Sequence, residues 1–419
     1  MKEDRIFLNF FSQRREAYAK DAKKIFKEQL CGLCDSFASL RDLIPKKLLL
    51  LLTLIVFATG IASAQHAMRP WWYRLEEGKL LFRSGAYGNA LIAFEDARRS
   101  RAAQFTRMEQ DLILFLSMPE IRPLGDSLYF VERAIAMLNQ TAAANALAYL
   151  FHRVPRESLR GSATQALREL DRLKAFPEAE FWMGETFRAE GELALALVQY
   201  ERAWQSRALL ETPGFEVEIL YRMTDIHRIR REYQSMENRA MEIITGPGPA
   251  GAPRDTLWAS GMLRAAMIRL LESEGVYRFL ELYRHNNMVT ERAHRQLGFF
   301  YQAARRDIPA LDHLTFAFLI QNTMLIEYVI RREFDFTFTT LDNLMGHALR
   351  RPALVEFMEE IEYYRTAFYF ATALYATGRT GPAMQVWSFL ARSGPQAGIW
   401  GERARFSPVP LLFPAVDLP

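Results

Sequence analysis

The chain has few of the residues that mark redox or zinc sites. Of its 419 residues only two are cysteines, Cys31 and Cys34, in a C-x-x-C pair. A redox pair of this kind needs a βαβ context and a zinc site needs four ligands, and neither pattern accompanies it. No cysteine follows Ala64, so the rest of the chain needs no disulfide and carries no reactive thiol.

Motifs for catalysis and cofactor binding are also missing. The seven histidines are scattered without metal-ligand spacing, and no phosphate loop, nucleophile elbow or dinucleotide motif occurs. The carboxylates Glu359 and Glu360 are adjacent, so on a helix they point to different faces. We therefore predict no catalytic, cofactor-binding or metal-binding residues, and no enzyme activity.

Most of the chain has no net charge, although charged residues make up 24% of the sequence. The first 47 residues carry eleven basic and seven acidic side chains, so the whole net charge of +4 lies there and the remainder is neutral. A nucleic-acid-binding face normally shows a basic stripe. The neutral body therefore argues against a nucleic-acid partner.

What the chain does have, near its beginning, is a segment with the layout of an export signal. Two lysines at 46–47 precede an apolar run from Leu48, which ends in Ala62-Ser63-Ala64. This order is typical of a secretory signal peptide over 46–64, with the mature chain starting at Gln65. The 45 residues in front are unusual for a signal. They indicate either a mis-assigned start, or a single membrane anchor over 48–64 with 1–45 in the cytoplasm, although the run is short for a span of ~17–25 residues.

Both alternatives predict the same side of the membrane for the body. We expect residues from Gln65 onward to be periplasmic, or anchored to the inner membrane and facing the periplasm. The 1–45 segment would then be an N-terminal extension or a cytoplasmic tail.

A unit of ~34 residues recurs along the body. The clearest copy, at 71–104, has glycine, alanine and aromatic residues where two antiparallel helices need them: Gly78, Leu81, Gly85, Tyr87, Ala90, Phe94 and Ala97. Further copies are found at 177–210, 217–250, 291–324 and 364–397. Two departures stand out, because Arg231 and Arg305 replace the helix-breaking glycine. No clean copy occurs between 105 and 176.

These copies resemble the tetratricopeptide repeat family, whose pattern is W-x2-L-G-x2-Y, then A-x3-F, then P. The resemblance implies an all-α fold, an α-solenoid of antiparallel helix pairs, with the close approach of each pair at residues such as Gly78 and Ala90. We expect an N-terminal block at 65–245, a Gly/Pro hinge at 246–254, a C-terminal block at 255–406 and a proline-rich tail at 407–419. The tail is expected to be extended, either capping the last helix or loose. The apolar run from His313 to Arg331 is predicted to be a buried helix.

In that family the first helix of each pair lines a concave groove that binds a partner as an extended peptide or a helix. The positions carried over to this chain are Trp72, Leu75, Lys79, Phe82, Arg83, Phe181, Glu185, Arg188, Tyr221, Asp225, Arg228, Arg292, Arg295, Phe299, Gln302, Arg365, Phe368, Thr372 and Tyr375. Aromatic residues with interleaved arginines are common in protein interfaces. The alternative is that the aromatics are core between repeats.

The leading functional prediction is therefore an exported or membrane-anchored scaffold for protein–protein interactions in a bacterial envelope assembly. A second is an accessory or carrier solenoid for enzymes that process the cell wall or polysaccharides. An enzyme is the third, and it would need a cleft with clustered titratable groups.

Overall fold

A computed structural model describes residues 70–117, 163–248 and 251–406. The chain divides into two units, Met1–Pro70 and Trp71–Pro419, and the described helices belong to the second. The predictions for 1–45, for 46–64 with its signal or anchor, for the C-x-x-C pair and for the tail at 407–419 lie outside the described residues. So does most of the spacer between 105 and 176.

The described residues are α-helical and include no β-strand, so the predicted all-α class is confirmed. The helices are α1 (Trp71–Arg83), α2 (Tyr87–Ser117), α3 (Ala163–Arg172), α4 (Pro177–Ala189), α5 (Leu193–Gln205), α6 (Phe215–Ile229), α7 (Tyr233–Thr245), α8 (Thr256–Ala259), α9 (Gly261–Leu282), α10 (Met288–Ala303), α11 (Asp307–Ile330), α12 (Leu341–Ala348), α13 (Pro352–Glu360), α14 (Tyr363–Ala376), α15 (Thr380–Arg392) and α16 (Gly398–Arg405).

Five helix pairs coincide with the five sequence copies. Each pair is an antiparallel hairpin closed by a three-residue turn: α1 with α2, α4 with α5, α6 with α7, α10 with α11 and α14 with α15. The second helix of each pair packs against the first helix of the next pair, so α2 contacts α4, α5 contacts α6, α7 contacts α10 and α11 contacts α14. Consecutive pairs are therefore neighbours in chain order.

Small residues set the distance between the two helices of a pair. A methyl group added at Gly78 would lie 2.4 Å from the ring of Phe94, and one at Gly184 would lie 2.7 Å from the ring of Tyr200. Both are far inside van der Waals contact. Ala90 and Ala196, on the second helices, are fully buried. The predicted close approach is confirmed: the missing side chain of the first-helix glycine leaves room for Phe94 in the first pair and Tyr200 in the second.

The five turns that close the pairs share one backbone geometry. In each turn one residue is left-handed: Gly85, Gly191 and Gly378 have φ of 79°, 86° and 84°, and Arg231 and Arg305 have φ of 59° and 58°. The amide that follows this residue donates to the carbonyl five residues earlier, at 2.8 to 3.0 Å. This is the Schellman end of a helix, where glycine is the usual residue. The two arginines therefore occupy a glycine position without changing the turn.

The Gly/Pro loop interrupts the helices but does not separate the two predicted blocks. The amide of Gly248 donates to the carbonyl of Ala252 (2.7 Å), and the amide of Arg254 donates to that of Gly246 (2.8 Å). The Arg254 guanidinium also donates to the carbonyl of Ile243 at the end of α7 (2.8 Å). Beyond the loop α7 packs directly on α10, and one hydrophobic core runs from Phe181 to Ala404.

Helix α11 is apolar nearly all round and lies inside this core. It is the one helix among the described ranges that is long and apolar enough to cross a membrane, and 78% of its most apolar window is buried within the protein. Its polar residues Gln321 and Asn322 are also buried and hydrogen-bonded. The prediction of a buried core helix is confirmed.

Candidate functional site

The predicted groove residues lie on α1, α4, α6, α10 and α14, and we call the surface they define the first-helix face. Six of them are buried: Leu75, Phe181, Glu185, Tyr221, Phe299 and Phe368. Eleven are partly buried: Lys79, Phe82, Arg188, Asp225, Arg228, Arg292, Arg295, Gln302, Arg365, Thr372 and Tyr375. Only Trp72 and Arg83 are exposed. Most of the aromatics on this face are therefore core, as the alternative interpretation held.

One contact recurs between successive first helices. In four pairs, the residue that follows the close-approach position of the first helix contacts the next first helix. In the first pair the close-approach residue is Gly78 and the contacting residue is Lys79. The ammonium of Lys79 lies 5.7 Å from the centre of a Trp182 ring, and Glu185 Oε1 lies 2.9 Å from Nε of Arg222. The carboxylate of Asp225 accepts from Gln296 at 3.3 Å.

The fourth instance of this contact is aromatic. The Phe299 ring lies 5.2 Å from that of Tyr369, and the Arg365 guanidinium is 4.5 Å from the same Phe299 ring. We call these four contacts the inter-pair contacts. The sequence predicts that these side chains bind a partner, but in the structure they join one helix pair to the next.

Charged groups on the middle of the face are paired with one another. Glu185 accepts from Arg188 (2.8 Å) and from the hydroxyl of Tyr200. Burial, and then the neighbouring Glu185 carboxylate, raise the pKa of Tyr200, so its hydroxyl stays protonated and acts as a donor. The hydrogen bond to Glu185 is also the leading cause that raises the pKa of Arg188. This part of the face has its hydrogen-bonding capacity largely satisfied from within.

The same holds further along, around a buried carboxylate of α10. Glu291 accepts from Gln321 of α11 (2.7 Å) and from Arg295 (3.0 Å), and Arg295 also donates to Glu362 (2.8 Å). Burial raises the pKa of Glu291, and the two donors oppose that shift. These bonds fix α10, α11 and the start of α14 relative to one another.

The open part of the face is its N-terminal end, on α1. Trp72 is 54% exposed, and Lys79 and Arg83 follow it at i+7 and i+11, which puts all three on one stripe of the helix. Beside this stripe the half-buried Phe82 ring lies 5.6 Å from that of Trp182. We call these five residues the aromatic end. It offers indole surface and two cationic side chains to a ligand.

A buried polar cluster follows the Gly/Pro loop, and the sequence pattern did not reveal it. Asp255 is fully buried, and its Oδ2 accepts from His285 (2.8 Å) and Thr290 (3.0 Å) and lies 3.3 Å from Nε2 of His294. The Nδ1 atoms of His294 and His313 are 3.0 Å apart. The partners are 30 or more residues from Asp255 in the chain, and no local spacing links them.

Burial determines what this cluster can do. Desolvation lowers the pKa of both His294 and His313. Burial alone would raise the pKa of Asp255, but hydrogen bonds from His285 and His294 outweigh it and hold that pKa far below its usual range. The imidazole rings of His294 and His313 are both buried, and the Trp258 ring stacks on that of His313 with 4.3 Å between the ring centres. A substrate has no access to these atoms, and the cluster instead fixes the point where the chain re-enters the core.

One cleft of about 670 Å³ opens beside two of the pair-closing turns. Its walls include Arg306 from the turn before α11, Asp307 and Asp312 from the start of α11, and Thr377 and Arg379 from the turn before α15. Burial raises the pKa of Asp312, and the positive charges of Arg264 and Arg379 oppose this rise. Within 70–117, 163–248 and 251–406 no group of three or more histidine, cysteine or carboxylate side chains is arranged so that it could hold a metal ion.

No protein-family model matches the chain. It is similar to an uncharacterized protein of Treponema pallidum (strain Nichols), with 26% identity over 325 residues. The similarity covers 77% of this chain and 86% of the relative, so it extends over most of both.

Proposed function

We propose that this chain is a tetratricopeptide-like α-solenoid that serves as an exported or membrane-anchored scaffold, binding a partner protein in a bacterial envelope assembly. The observation that carries the proposal is the repetition of one unit. Five helix pairs in chain order share the same left-handed turn, and inter-pair contacts join their first helices. Stacking of one supersecondary unit on the next is the physical principle of a solenoid.

The proposed binding site is the aromatic end of the first-helix face. Tryptophan and arginine are the residues that most often dominate the free energy of protein association, and Trp72 and Arg83 lie on one stripe here. Lys79 is also paired with Glu76 of its own helix (2.7 Å). Elsewhere on the face the aromatics are buried or partly buried and most charges are paired, so less surface is free there for a ligand. A partner segment lying along α1 would cover the Trp72 indole and reach Lys79 and Arg83 with its polar groups.

The envelope location is part of the same proposal. It rests on the signal layout of 46–64 and on the similarity to a bacterial protein of comparable extent. N-terminal sequencing of the protein from an envelope fraction distinguishes the two alternatives. A mature start at Gln65 supports the cleaved signal, and a chain that keeps 1–45 supports the anchor.

Partner binding is tested by alanine substitution on the full chain. Trp72→Ala should reduce capture of the native partner from envelope extracts at least thirtyfold, because removing an interface anchor costs ~2 kcal/mol or more. The matched control is Phe334→Ala, since Phe334 is an exposed aromatic like Trp72 but lies outside the first helices. Both variants should melt like the parent. Equal capture by Trp72→Ala and the parent would refute the aromatic end as the site.

A further inference from the structure

Three of the five turns that close the helix pairs lie next to one another. The Arg306 guanidinium lies 3.9 Å from Glu237, one turn into α7, and the rings of Tyr233 and Phe300 stack at 5.5 Å. The turn before α11 therefore lies beside the turn before α7. Arg306 also shares the 670 Å³ cleft with Arg379 of the turn before α15. We call the surface formed by turns 230–232, 304–306 and 377–379 the turn edge.

Arginine is concentrated on this edge in an unfavourable backbone position. Arg231 and Arg305 hold the left-handed conformation that Gly191 and Gly378 hold in equivalent turns. A side chain at such a φ costs conformational free energy that glycine avoids. The cost recurs at the same position of two adjacent pairs. A residue kept in a strained conformation is a reason to look for a function of its side chain.

These two side chains have no internal role that would explain the strain. Arg231 and Arg305 are exposed, and within the described part of the chain neither side chain makes a hydrogen bond, an ion pair or a ring contact. Arginines on the first-helix face differ in this respect, since Arg188 and Arg295 are paired with carboxylates. No described residue therefore uses the donors of these two exposed guanidinium groups.

The surroundings of the two arginines indicate the chemistry of a ligand. Exposed isoleucines flank them, Ile229 before the first turn and Ile308 after the second, at 56% and 71% exposure. A guanidinium binds a carboxylate through two parallel hydrogen bonds, and isoleucine adds apolar contact. The recessed cleft next to Arg306 also contains Asp307 and Asp312. Those carboxylates would repel a flat anionic membrane, whereas a peptide with spaced carboxylates can avoid them.

We propose that the turn edge binds a carboxylate-rich, partly apolar segment of a partner protein, with Arg231 and Arg305 as its carboxylate contacts. This surface is separate from the aromatic end, so the proposal goes beyond the scaffold function and does not depend on the ligand of α1.

The test uses the full chain and a fluorescein-labelled peptide of glutamates spaced by isoleucine and alanine. The double variant R231G/R305G should bind this peptide about fivefold more weakly than the parent, since each exposed ion pair contributes little alone. It should also melt at the same or a higher temperature, because glycine suits both turns. Weaker binding together with undiminished stability would rule out unfolding as the cause.

The matched control is R331Q/R350Q, which removes the same charge from exposed arginines outside the turn edge. Arg331 follows the last residue of α11, at the opposite end of that helix from Arg305. The control should bind the peptide like the parent, and so should Trp72→Ala, which reports on the other proposed site. An equal loss in R331Q/R350Q, or no loss in R231G/R305G, would overturn the proposal.

A membrane alternative is decided in the same experiment with vesicles of phosphatidylcholine, with and without phosphatidylglycerol. The proposal expects peptide binding and no Arg231- or Arg305-dependent binding to either vesicle. If the parent chain binds only the vesicles that contain phosphatidylglycerol, and R231G/R305G does not bind them, the proposal is overturned and the turn edge is a lipid contact.

Discussion

The first-helix face and the turn edge use the same residue type in opposite ways. On the face, Arg188, Arg222 and Arg295 are paired with carboxylates, and the ion pairs of Arg222 and Arg295 join one helix pair to the next. On the edge, Arg231 and Arg305 are unpaired within the described residues and occupy a glycine position at a conformational cost. Paired arginines stabilise the fold, and unpaired ones that strain it are the better candidates for recognition. The following experiments test this difference.

The largest effect should come from truncating an aromatic in the interior of the first-helix face. Phe368 is 2% exposed and its ring lies 5.5 Å from that of Trp400. Phe368→Ala should lower the free energy of unfolding by ~3–5 kcal/mol, as in other large-to-small core changes. Trp72→Ala on the exposed end should change it by less than ~0.5 kcal/mol. Denaturant unfolding measures both, and equal losses would mean that the two ends of the face do not differ.

Acid should weaken the core junction around Asp255. Because burial lowers the pKa of His294 and His313, the unfolded chain binds protons below its ordinary histidine pKa of 6.5 while the folded chain does not. Stability is therefore fully present above this value and lost as the pH falls. Each histidine contributes a slope of up to ~1.4 kcal/mol per pH unit, about 3 kcal/mol for both.

The groups that face these rings are Asp255, His285 and Arg264, and only Asp255 attracts the added protons. The pKa of Asp255 is also lowered, so its own contribution disappears only at still lower pH, below its unfolded value of 3.8. Urea unfolding at pH 6.5 and about one unit lower measures the slope. His313→Gln should roughly halve it, and an unchanged slope would assign the acid sensitivity to other groups.

Enlarging a close-approach alanine should have a smaller effect, confined largely to one pair. Ala196 and Ala310 are fully buried on the second helices α5 and α11. Ala196→Leu and Ala310→Leu should each cost ~1–3 kcal/mol, because overpacking forces the helices apart. Hydrogen exchange should show the loss mainly in the adjoining pairs. A parent-like melting temperature in both variants would contradict close packing at these positions.

The pairs and their turns could be predicted from the sequence, and the exposure of the first-helix face could not. Gly78, Ala90 and Phe94 follow a local spacing that specifies how two neighbouring helices approach. Whether Phe181 or Tyr221 faces solvent depends on how closely the next pair packs, and helical periodicity carries no information on that distance. The Asp255 cluster escapes prediction for a similar reason, since it joins residues 30 to 39 positions apart.

The departures from the repeat pattern are the most informative local signal. Arg231 and Arg305 are recognisable from the repeat spacing alone as substitutions of a glycine. The family resemblance implies a turn at each of these positions, and both arginines do adopt the left-handed geometry. What the sequence could not show is that both are exposed without a partner among the described residues.

The smallest expected effect is a gain in stability, whereas the core substitutions above lower it. It separates backbone strain from function at a single position. Arg305→Gly should raise the free energy of unfolding by up to ~1 kcal/mol, because glycine adopts φ of 58° without the steric cost of a side chain. The reciprocal change, Gly191→Arg, places an arginine in the equivalent turn of α4 and α5. No heavy atom lies within 4 Å of the position its Cβ would take, so the only expected cost is the left-handed backbone, again about 1 kcal/mol. Differential scanning calorimetry resolves both shifts. If Gly191→Arg destabilises while Arg305→Gly fails to stabilise, the Arg305 side chain contributes to folding, and its position on the turn edge would then need no partner to account for it.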